Sequence, residues 1–359
     1  MKVVQKAIAL ITILGLLAGA LSMVVAQEPL IESVCLVTDV GKVNDGTFNQ
    51  FAYDGMVAAV EDFDLDSTFI ETVAPTDYQN NIQTCIDSGY DAIITVGFLL
   101  QDATLVAAEA NPNVYFIGVD QGYETAPPNL VGVQFREDQS GFLAGALAAQ
   151  MTQTGTIAGV YGIPVPAVVK FQNGFEQGAK YINPDIDVRS VFIQSFVDPA
   201  AGAEAAEQLI AEGADVIFGA GGQTGSGAIQ RAAAEGIYVI GVDQDEYFST
   251  FGGGESPGSE YLISSAIKRV DQGVYLSLKA LVEGNLEEFG GGGNRVLSAE
   301  NEGVGFAPAH DAEVPEEVTA MLEEILAGLR DGTIETGVDP VTGELLEMVE
   351  PEETPEASG

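Results

Sequence analysis

The sequence predicts an α/β protein made of two doubly wound lobes, each with a parallel sheet. Short apolar, β-branched runs alternate with helical patterns such as NNIQTCID and AIQRAAAEG, which is typical of stacked βαβ units. The 359 residues suit two domains better than one core. The second half also repeats the first, since VYFIGVDQ at 114–121 returns as IYVIGVDQ at 237–244.

The repeat extends over residues 33–122 and 156–246 at an offset of 123 or 124. The strand SVCLVTDV corresponds to TIAGVYG, and GYDAIITVG corresponds to GADVIFGAG. The helices FNQFAYDGM and FQNGFEQGA align so that Phe48 lies over Phe171 and Gly55 over Gly178. Both halves should therefore share one chain path.

The lobe boundaries follow from where the repeat stops. We expect an N-terminal lobe from residues 30–136 plus 258–290 and a C-terminal lobe from residues 137–257 plus 291–335, joined by a hinge of several crossovers. Residues 336–359 are acidic and contain proline, which predicts a disordered tail.

The N-terminus has the pattern of an export signal. A short basic segment precedes a long apolar run, and small residues before Gln27 suit cleavage after Ala26. Residues 1–26 are therefore either a cleaved signal peptide or a retained membrane anchor. In both cases we expect the protein in the periplasm or on the outer face of the cell membrane.

The charge balance excludes two classes of partner. With 54 acidic and 13 basic residues, the formal net charge is −41. Nucleic acids and anionic membrane surfaces both require clustered Lys and Arg, so neither is expected as a partner. We expect membrane association only through the N-terminal segment or a membrane protein.

The two cysteines, Cys35 and Cys85, lie in predicted regular elements. A disulfide and two buried thiols are both open, although export favours the bond. If the first sheet has the order 2-1-3, the helix with Cys85 ends near the start of the strand with Cys35. That arrangement would favour the disulfide.

Asp120 and Asp243 end equivalent strands of the two halves. Ligands of parallel sheets bind beyond the carboxyl ends of the strands, so facing lobes would bring both carboxylates to one cleft. Each Asp could instead cap the following loop. The duplicated placement favours ligand contact, with vicinal hydroxyls of a sugar as suitable donors.

Other motifs are weaker. GAGGQTGSG at 219–227 resembles a phosphate loop but matches neither GxGxxG nor a GKS/T ending, so it indicates a turn that lets backbone approach a neutral ligand. DFDLD at 62–66 lacks the glycine and glutamate of a calcium loop. His310 is the only histidine, which argues against zinc and Ser-His-Asp sites. We therefore expect no metal, no cofactor and no catalytic site.

Two aromatic residues could lie at the cleft. Tyr53 lies in the first helix, and Phe196 lies in a loop of the second half. Rings from opposite lobes could sandwich a flat base or a sugar face, although each ring alone could serve the core.

The motifs TDVGKVNDGTFNQFAYDGM, IITVGF, GVDQ, FLAGALAA, SFVDP, GGQTGSG and SAIK, in this order, resemble the basic membrane protein family. These are extracytoplasmic solute-binding proteins of ABC transporters and include a purine nucleoside receptor branch. The resemblance spans about residues 33–330. It implies a type I periplasmic-binding-protein fold whose lobes close on a ligand.

The resemblance also implies roles at the base of a nucleoside. By motif position, Asn44, Asp45 and Asp120 would recognise the base. Tyr53 and Phe196 would stack on its two faces.

Three further positions would hold the ribose by the same resemblance: Gly221, Asp243 and Lys268. Lys268 would also neutralise a buried carboxylate. The chain departs from the family pattern in having no tryptophan and no lipid-anchoring cysteine after the apolar run.

Together with the resemblance, these observations favour a non-enzymatic, monomeric receptor that captures a purine nucleoside and delivers it to an ABC permease. A sugar or another small polar solute is the alternative ligand. A secreted nucleoside hydrolase is a third alternative, because Asp45, Asp120 and Asp243 could supply carboxylates.

Overall fold

The computed structural model describes residues 29–346 and contains two six-stranded sheets. The first sheet is parallel throughout and has the strand order β11-β5-β4-β3-β1-β2. Its strands are β1 (Ser33–Val40), β2 (Asp66–Thr72), β3 (Ala92–Val96), β4 (Tyr115–Val119), β5 (Leu130–Phe135) and β11 (Asn294–Leu297).

The second sheet repeats this arrangement with the order β12-β10-β9-β8-β6-β7. Its edge strand β12 is antiparallel to β10, and the other pairs are parallel. The strands are β6 (Thr156–Tyr161), β7 (Asp187–Phe192), β8 (Val216–Ala220), β9 (Tyr238–Asp243), β10 (Leu262–Lys268) and β12 (Val304–Phe306). The structure thus confirms the two duplicated α/β lobes.

Helices cover both sheets. They are α1 (Phe48–Phe63), α2 (Tyr78–Asp87), α3 (Gln101–Ala110), α4 (Glu137–Met151), α5 (Pro166–Ile182), α6 (Pro199–Ala211), α7 (Gly222–Ala234), α8 (Glu246–Ser249), α9 (Val270–Val282), α10 (Leu286–Phe289) and α11 (Glu316–Asp331).

The aligned glycines Gly55 and Gly178 let helices approach closely. A Cβ at Gly55 of α1 would collide with the Asp271 backbone of α9, and a Cβ at Gly178 of α5 would collide with the Phe142 carbonyl of α4. The pairs α1–α9 and α4–α5 are therefore equivalent packings in the two lobes. In each pair, one helix follows a crossing between the lobes.

The chain crosses between the lobes after β5, after β10 and after β11. Adjacent crossings are hydrogen-bonded, since the Arg136 amide donates to the Leu297 carbonyl and the Arg269 amide donates to the Gly303 carbonyl, both at 2.9 Å. Three hydrogen-bonded crossings form a hinge that can rotate without separating the lobes.

Two of these crossings lie elsewhere than we expected. Residues 258–290 were assigned to the N-terminal lobe, but β10 within that range pairs with β9 of the second sheet. Residues 291–335 were assigned to the C-terminal lobe, but β11 pairs with β5 of the first sheet. The helical pattern showed where α9 lies, whereas sheet membership depends on long-range pairing that a short apolar run does not reveal.

The expected disordered tail is wrong for residues 336–346. Thr336 is buried and donates to Asp138 Oδ2 at 2.6 Å, and the Gly343 carbonyl accepts from Asn173 Nδ2 at 2.6 Å. Val338 also forms an antiparallel bridge with Leu345. This segment docks on α4 and α5 because its turn chemistry and buried contacts outweigh its acidic composition. The rest of the predicted tail and the predicted export signal lie outside the described residues.

Cys35 and Cys85 form a disulfide whose Cα atoms are 5.9 Å apart. The order β2-β1-β3 in the first sheet matches the topology that favoured this bond. Within residues 29–346, no helix has the length and apolar character needed to cross a bilayer.

Candidate functional site

A cavity lies between the carboxyl ends of the two sheets. It encloses about 640 Å³ of atom-free space, its open mouth included, and takes its walls from both lobes. Six of the eight ligand residues expected from sequence line it: Asp45, Asp120, Phe196, Gly221, Asp243 and Lys268. The duplicated strand ends thus meet at one site.

Asn44 and Tyr53 do not reach this cavity. Asn44 is exposed and lines a separate gap at the mouth of the cleft. The Tyr53 ring packs edge-on against Phe69, with centroids 5.3 Å apart. Tyr53 lies more than one turn beyond Phe48 in α1, so its side chain projects from a different side of the helix. It therefore contacts the sheet and not the cleft.

Asp45 lines the cavity but caps α1. Its Oδ1 accepts from the Thr47 and Gln50 amides at 2.9 and 3.1 Å, and its Oδ2 accepts from the Asn49 amide at 3.2 Å. Asn49 Nδ2 also donates to Oδ2 at 3.0 Å. These bonds occupy both carboxylate oxygens in capping the start of α1.

Asp120 and Asp243 share an unusual backbone conformation. Their φ angles are 59° and 65°, in the left-handed region that Asp tolerates better than bulkier residues. The turn directs the chain out of each strand immediately beyond the sheet. The repeat therefore preserves a backbone geometry as well as a side chain.

The two carboxylates differ in their partners. Asp120 Oδ2 is 2.6 Å from Lys268 Nζ, and its buried Oδ1 has no hydrogen-bond partner among the described residues. Burial raises the pKa of Asp120, and Lys268 opposes that rise. Asp243 is 5% exposed, and its side chain accepts no hydrogen bond from any residue in the described part of the chain. Burial raises its pKa to about 7, although Lys268 partly offsets the shift.

Lys268 belongs to a buried chain of alternating charges. Its Nζ is 2.9 Å from Glu137 Oε1, while Glu137 Oε2 is 2.5 Å from Lys170 Nζ. Burial disfavours the charge of Lys268, but Asp120 and Glu137 outweigh burial and raise its pKa. Burial would raise the pKa of Glu137, but Lys170 and Lys268 hold it below its ordinary value. These paired charges thus connect the two lobes and the first crossing.

Sequence reasoning missed Asp39 and Asn49. Asp39 lies near the end of β1, is 5% exposed and accepts from Asn49 Nδ2 at 3.0 Å. Burial raises its pKa to about 7, with the Asn49 bond opposing the shift. Asn49 Oδ1 is buried without a partner in the described residues. Asp39 could have been identified from the TDVG sequence, because it is an Asp at the carboxyl end of a predicted strand, as Asp120 is.

Phe48 and Phe171 were also missed as cavity residues. Both line the cavity, and their ring centroids lie 4.9 and 5.9 Å from Lys268 Nζ. Their alignment in the internal repeat was the signal that could have identified them. Phe48 supplies the aromatic wall on the first lobe that we had assigned to Tyr53, while Phe196 lines the second lobe as expected.

Gly221 occupies a position that requires glycine. Its φ is 137°, and a Cβ would collide with the backbone of Gly162. Its counterpart Gly97 also has a positive φ of 107° and lines the cavity. These glycines bring the backbone close to the cavity at both strand ends.

The comparisons with known proteins agree on the family. The model described as "Bmp: ABC transporter substrate-binding protein PnrA-like" matches residues 32–328. The chain is 32% identical to "ABC transporter nucleoside-binding protein BmpA" of Lactococcus lactis subsp. cremoris, covering 66% of this chain and 70% of that protein. It is 28% identical to "CD4+ T-cell-stimulating antigen" of Listeria monocytogenes, covering 86% and 88% respectively.

A solved structure supports the fold. An ABC transporter solute-binding protein from Aeropyrum pernix K1 superposes with a TM-score of 0.74 at 24% identity, covering 84% of this chain and 92% of the other. This likeness confirms the type I periplasmic-binding-protein fold that the motifs implied.

Proposed function

Because the chain belongs to the Bmp family of ABC transporter substrate-binding proteins, we propose that it captures a purine nucleoside between its lobes and delivers it to a permease. The family is one of binding proteins and not of enzymes, which removes the support for a secreted hydrolase. The name of the lactococcal relative supports a nucleoside as the ligand.

The observation that carries this proposal is the placement of Asp39 and Asp243. Both are buried carboxylates on the cavity wall, and neither has a cation in direct contact among the described residues. A buried carboxylate is stabilised by hydrogen-bond donors. A nucleoside offers donors at both ends, namely the exocyclic amine or ring N–H of the base and the ribose hydroxyls.

We assign the base to the first lobe. Asp39 and the unpartnered Asn49 Oδ1 present adjacent acceptors for base N–H groups. Phe48 and Phe196 approach from opposite lobes and would stack on the two faces of the base, at about 1–3 kcal/mol per stacked ring. Asp39 therefore takes the role that the resemblance had given to Asp45.

We assign the ribose to the second lobe. Asp243 would accept from two hydroxyls, and Lys268 would donate to a ribose oxygen while remaining paired with Asp120. The free Oδ1 of Asp120 could accept a further ligand N–H or O–H. Gly221 lets the backbone approach at the same wall. Nucleosides without a phosphate should be preferred, because a phosphate would be repelled by the two carboxylates.

Closure would follow from ligand contacts on both lobes. A ligand that binds both walls stabilises the closed form by the difference in its affinity for the two forms. A permease would then recognise the surface that closure creates. We further propose that the protein acts as a monomer outside the cytoplasm.

A thermal-shift screen tests the nucleoside assignment. Adenosine, guanosine or inosine should raise Tm, because a ligand at about 100 times its Kd stabilises the folded state by about 2.7 kcal/mol. Inosine monophosphate is the matched control and should give no shift. A shift with a sugar but with no nucleoside would contradict the assignment, and release of hypoxanthine from inosine would contradict a pure receptor.

A further inference from the structure

Gln244 bridges the mouth of the cleft without lining the ligand cavity. Its Nε2 belongs to the second lobe and donates to the carbonyl of Gly46 in the first lobe at 2.7 Å, with the Thr47 carbonyl at 3.4 Å. Among the described residues, its side chain makes no hydrogen bond within its own lobe. Its amide group is therefore committed to the opposite lobe.

The repeat counterpart Gln121 does the reverse. It is fully buried in the first lobe, where its Nε2 donates to the Gly97 carbonyl at 3.0 Å and its Oε1 accepts from the Tyr123 hydroxyl at 2.6 Å. The same residue in the same strand end thus stabilises one lobe in the first half and joins two lobes in the second half. Among the described residues, no hydrogen bond of the Gln244 side chain holds the second lobe together.

The acceptors of Gln244 are held in place before it binds them. Asp45 caps the loop through the amides of Thr47 and Gln50. The Gly46 amide in turn donates to Gln50 Oε1 at 3.1 Å. A rigid pair of carbonyls loses little entropy when Gln244 arrives, which favours the bond.

The acceptor end of this bond lies several strands from the first crossing, whereas Gln244 follows β9, which neighbours β10. Lys268 and Asp120 also bridge the lobes, but β10 runs directly into a crossing and β4 neighbours β5. Gly46 follows β1, which is three strands from β5, or roughly 14 Å at about 4.8 Å per strand. Rotation about the crossings should therefore move Gly46 further than Asp120, and we expect opening to break the Gln244 bond before it separates the ion pair.

We propose that Gln244 is a positioning residue that latches the closed form and thereby sets ligand affinity without contacting the ligand. This inference rests on the proposed function of the cavity between the lobes. The apparent Kd of a receptor varies inversely with the population of its binding-competent form. Loss of the latch should therefore weaken every ligand by the same factor.

The test compares Gln244→Ala with Gln230→Ala in the full chain. Gln230 lines the same gap at the mouth, but its Nε2 donates to the Thr250 carbonyl within the second lobe at 3.2 Å. Calorimetry with inosine, adenosine and guanosine should give a Kd about three- to tenfold higher for Gln244→Ala, with one ratio for all ligands. Gln230→Ala should remain within about twofold.

Two further measurements separate a latch from a structural role. Stopped-flow binding should show that the loss lies in the dissociation rate, because the latch acts after the ligand has entered. Gln244→Glu should bind more weakly than Gln244→Ala, since a carboxylate would face two carbonyl oxygens. An unchanged Kd, or ratios that differ by more than about threefold between ligands, would overturn the proposal.

The outcome is distinguishable from failure of the proposed function. If a panel of nucleosides, free bases and sugars shows binding of a sugar alone, the nucleoside assignment fails. The ratio of the Kd of Gln244→Ala to the Kd of the unsubstituted protein is then measured with that sugar. This ratio tests the latch separately from the identity of the ligand.

Discussion

The two GVDQ strand ends have the same backbone and different chemistry. Asp120 and Asp243 both adopt a left-handed conformation after an equivalent strand. Asp120 is paired with Lys268, whereas Asp243 faces the cavity without a hydrogen-bond partner among the described residues. Gln121 is buried within its lobe, whereas Gln244 reaches the other lobe. Duplication thus supplied the position of each side chain, and the surroundings supplied its role.

The difference arises from one cation. Lys268 ends β10, and the first lobe has no strand in the corresponding place that ends in a lysine, since β5 ends at Phe135. The single lysine lies closer to Asp120 than to Asp243, so one carboxylate is neutralised inside the protein. Asp243 remains available to a ligand, and the burial of its unpaired carboxylate lowers the stability of the unliganded protein.

The largest expected effect comes from removing that cation. Lys268→Met should destabilise the protein by about 3–5 kcal/mol, because it leaves Asp120 and Glu137 buried with one cation fewer. Urea unfolding at pH 7.5 measures this change. Lys279→Met is the control, since the exposed Lys279–Glu283 pair at 3.8 Å should contribute less than about 0.5 kcal/mol. Equal effects of the two substitutions would argue against a buried charge network.

An effect of opposite sign, and of no greater size, is expected for Asp243→Asn. The folded pKa of Asp243, about 7, lies above the ordinary value of 3.8, so wild-type stability falls as pH rises from about 4 to about 7. At pH 8 the variant should therefore be more stable than wild type without ligand, by up to about 4 kcal/mol for a shift of about 3 pKa units at about 1.4 kcal/mol per unit.

The advantage of Asp243→Asn should disappear towards pH 4, where wild-type Asp243 is protonated. Urea unfolding at pH 4.5, 6 and 8 would show this convergence. Asp66→Asn, at an exposed position, should leave stability unchanged at every pH. A variant that is less stable than wild type at pH 8 would show that Asp243 is stabilised by contacts within the protein.

The smallest effect concerns the aromatic wall. Phe48→Ala should weaken nucleoside binding by about 1–3 kcal/mol through loss of stacking. Tyr53→Ala should leave Kd unchanged and lower the free energy of unfolding, because Tyr53 packs on Phe69. Calorimetry and urea unfolding on both variants separate the two roles. The reverse pattern would restore Tyr53 as the stacking residue.

The pattern of the sequence was sufficient for much of the fold. The alternation of strands and helices, the internal repeat and the Asp-ended strands determined two α/β lobes with carboxylates at a shared cleft, because periodicity and turn chemistry are local properties. The same signals held the evidence for Asp39, Phe48 and Phe171, which lie at repeated or strand-end positions. Sequence also determined the family, through motifs such as NDGTFNQ and GVDQ.

Only the tertiary structure decided which lobe each late strand joins and which partner each polar side chain meets. The sheet membership of β10 and β11, the docking of residues 336–346 and the packing of Tyr53 against Phe69 all depend on contacts between separate elements of the chain. The capping bonds of Asp45 are local, because they join it to amides two to five residues further on. Asp120 and Asp243 carry the same local signal, and Lys268 lies 148 residues from Asp120 along the chain. Their separate roles are set by distance in space, which local sequence does not encode.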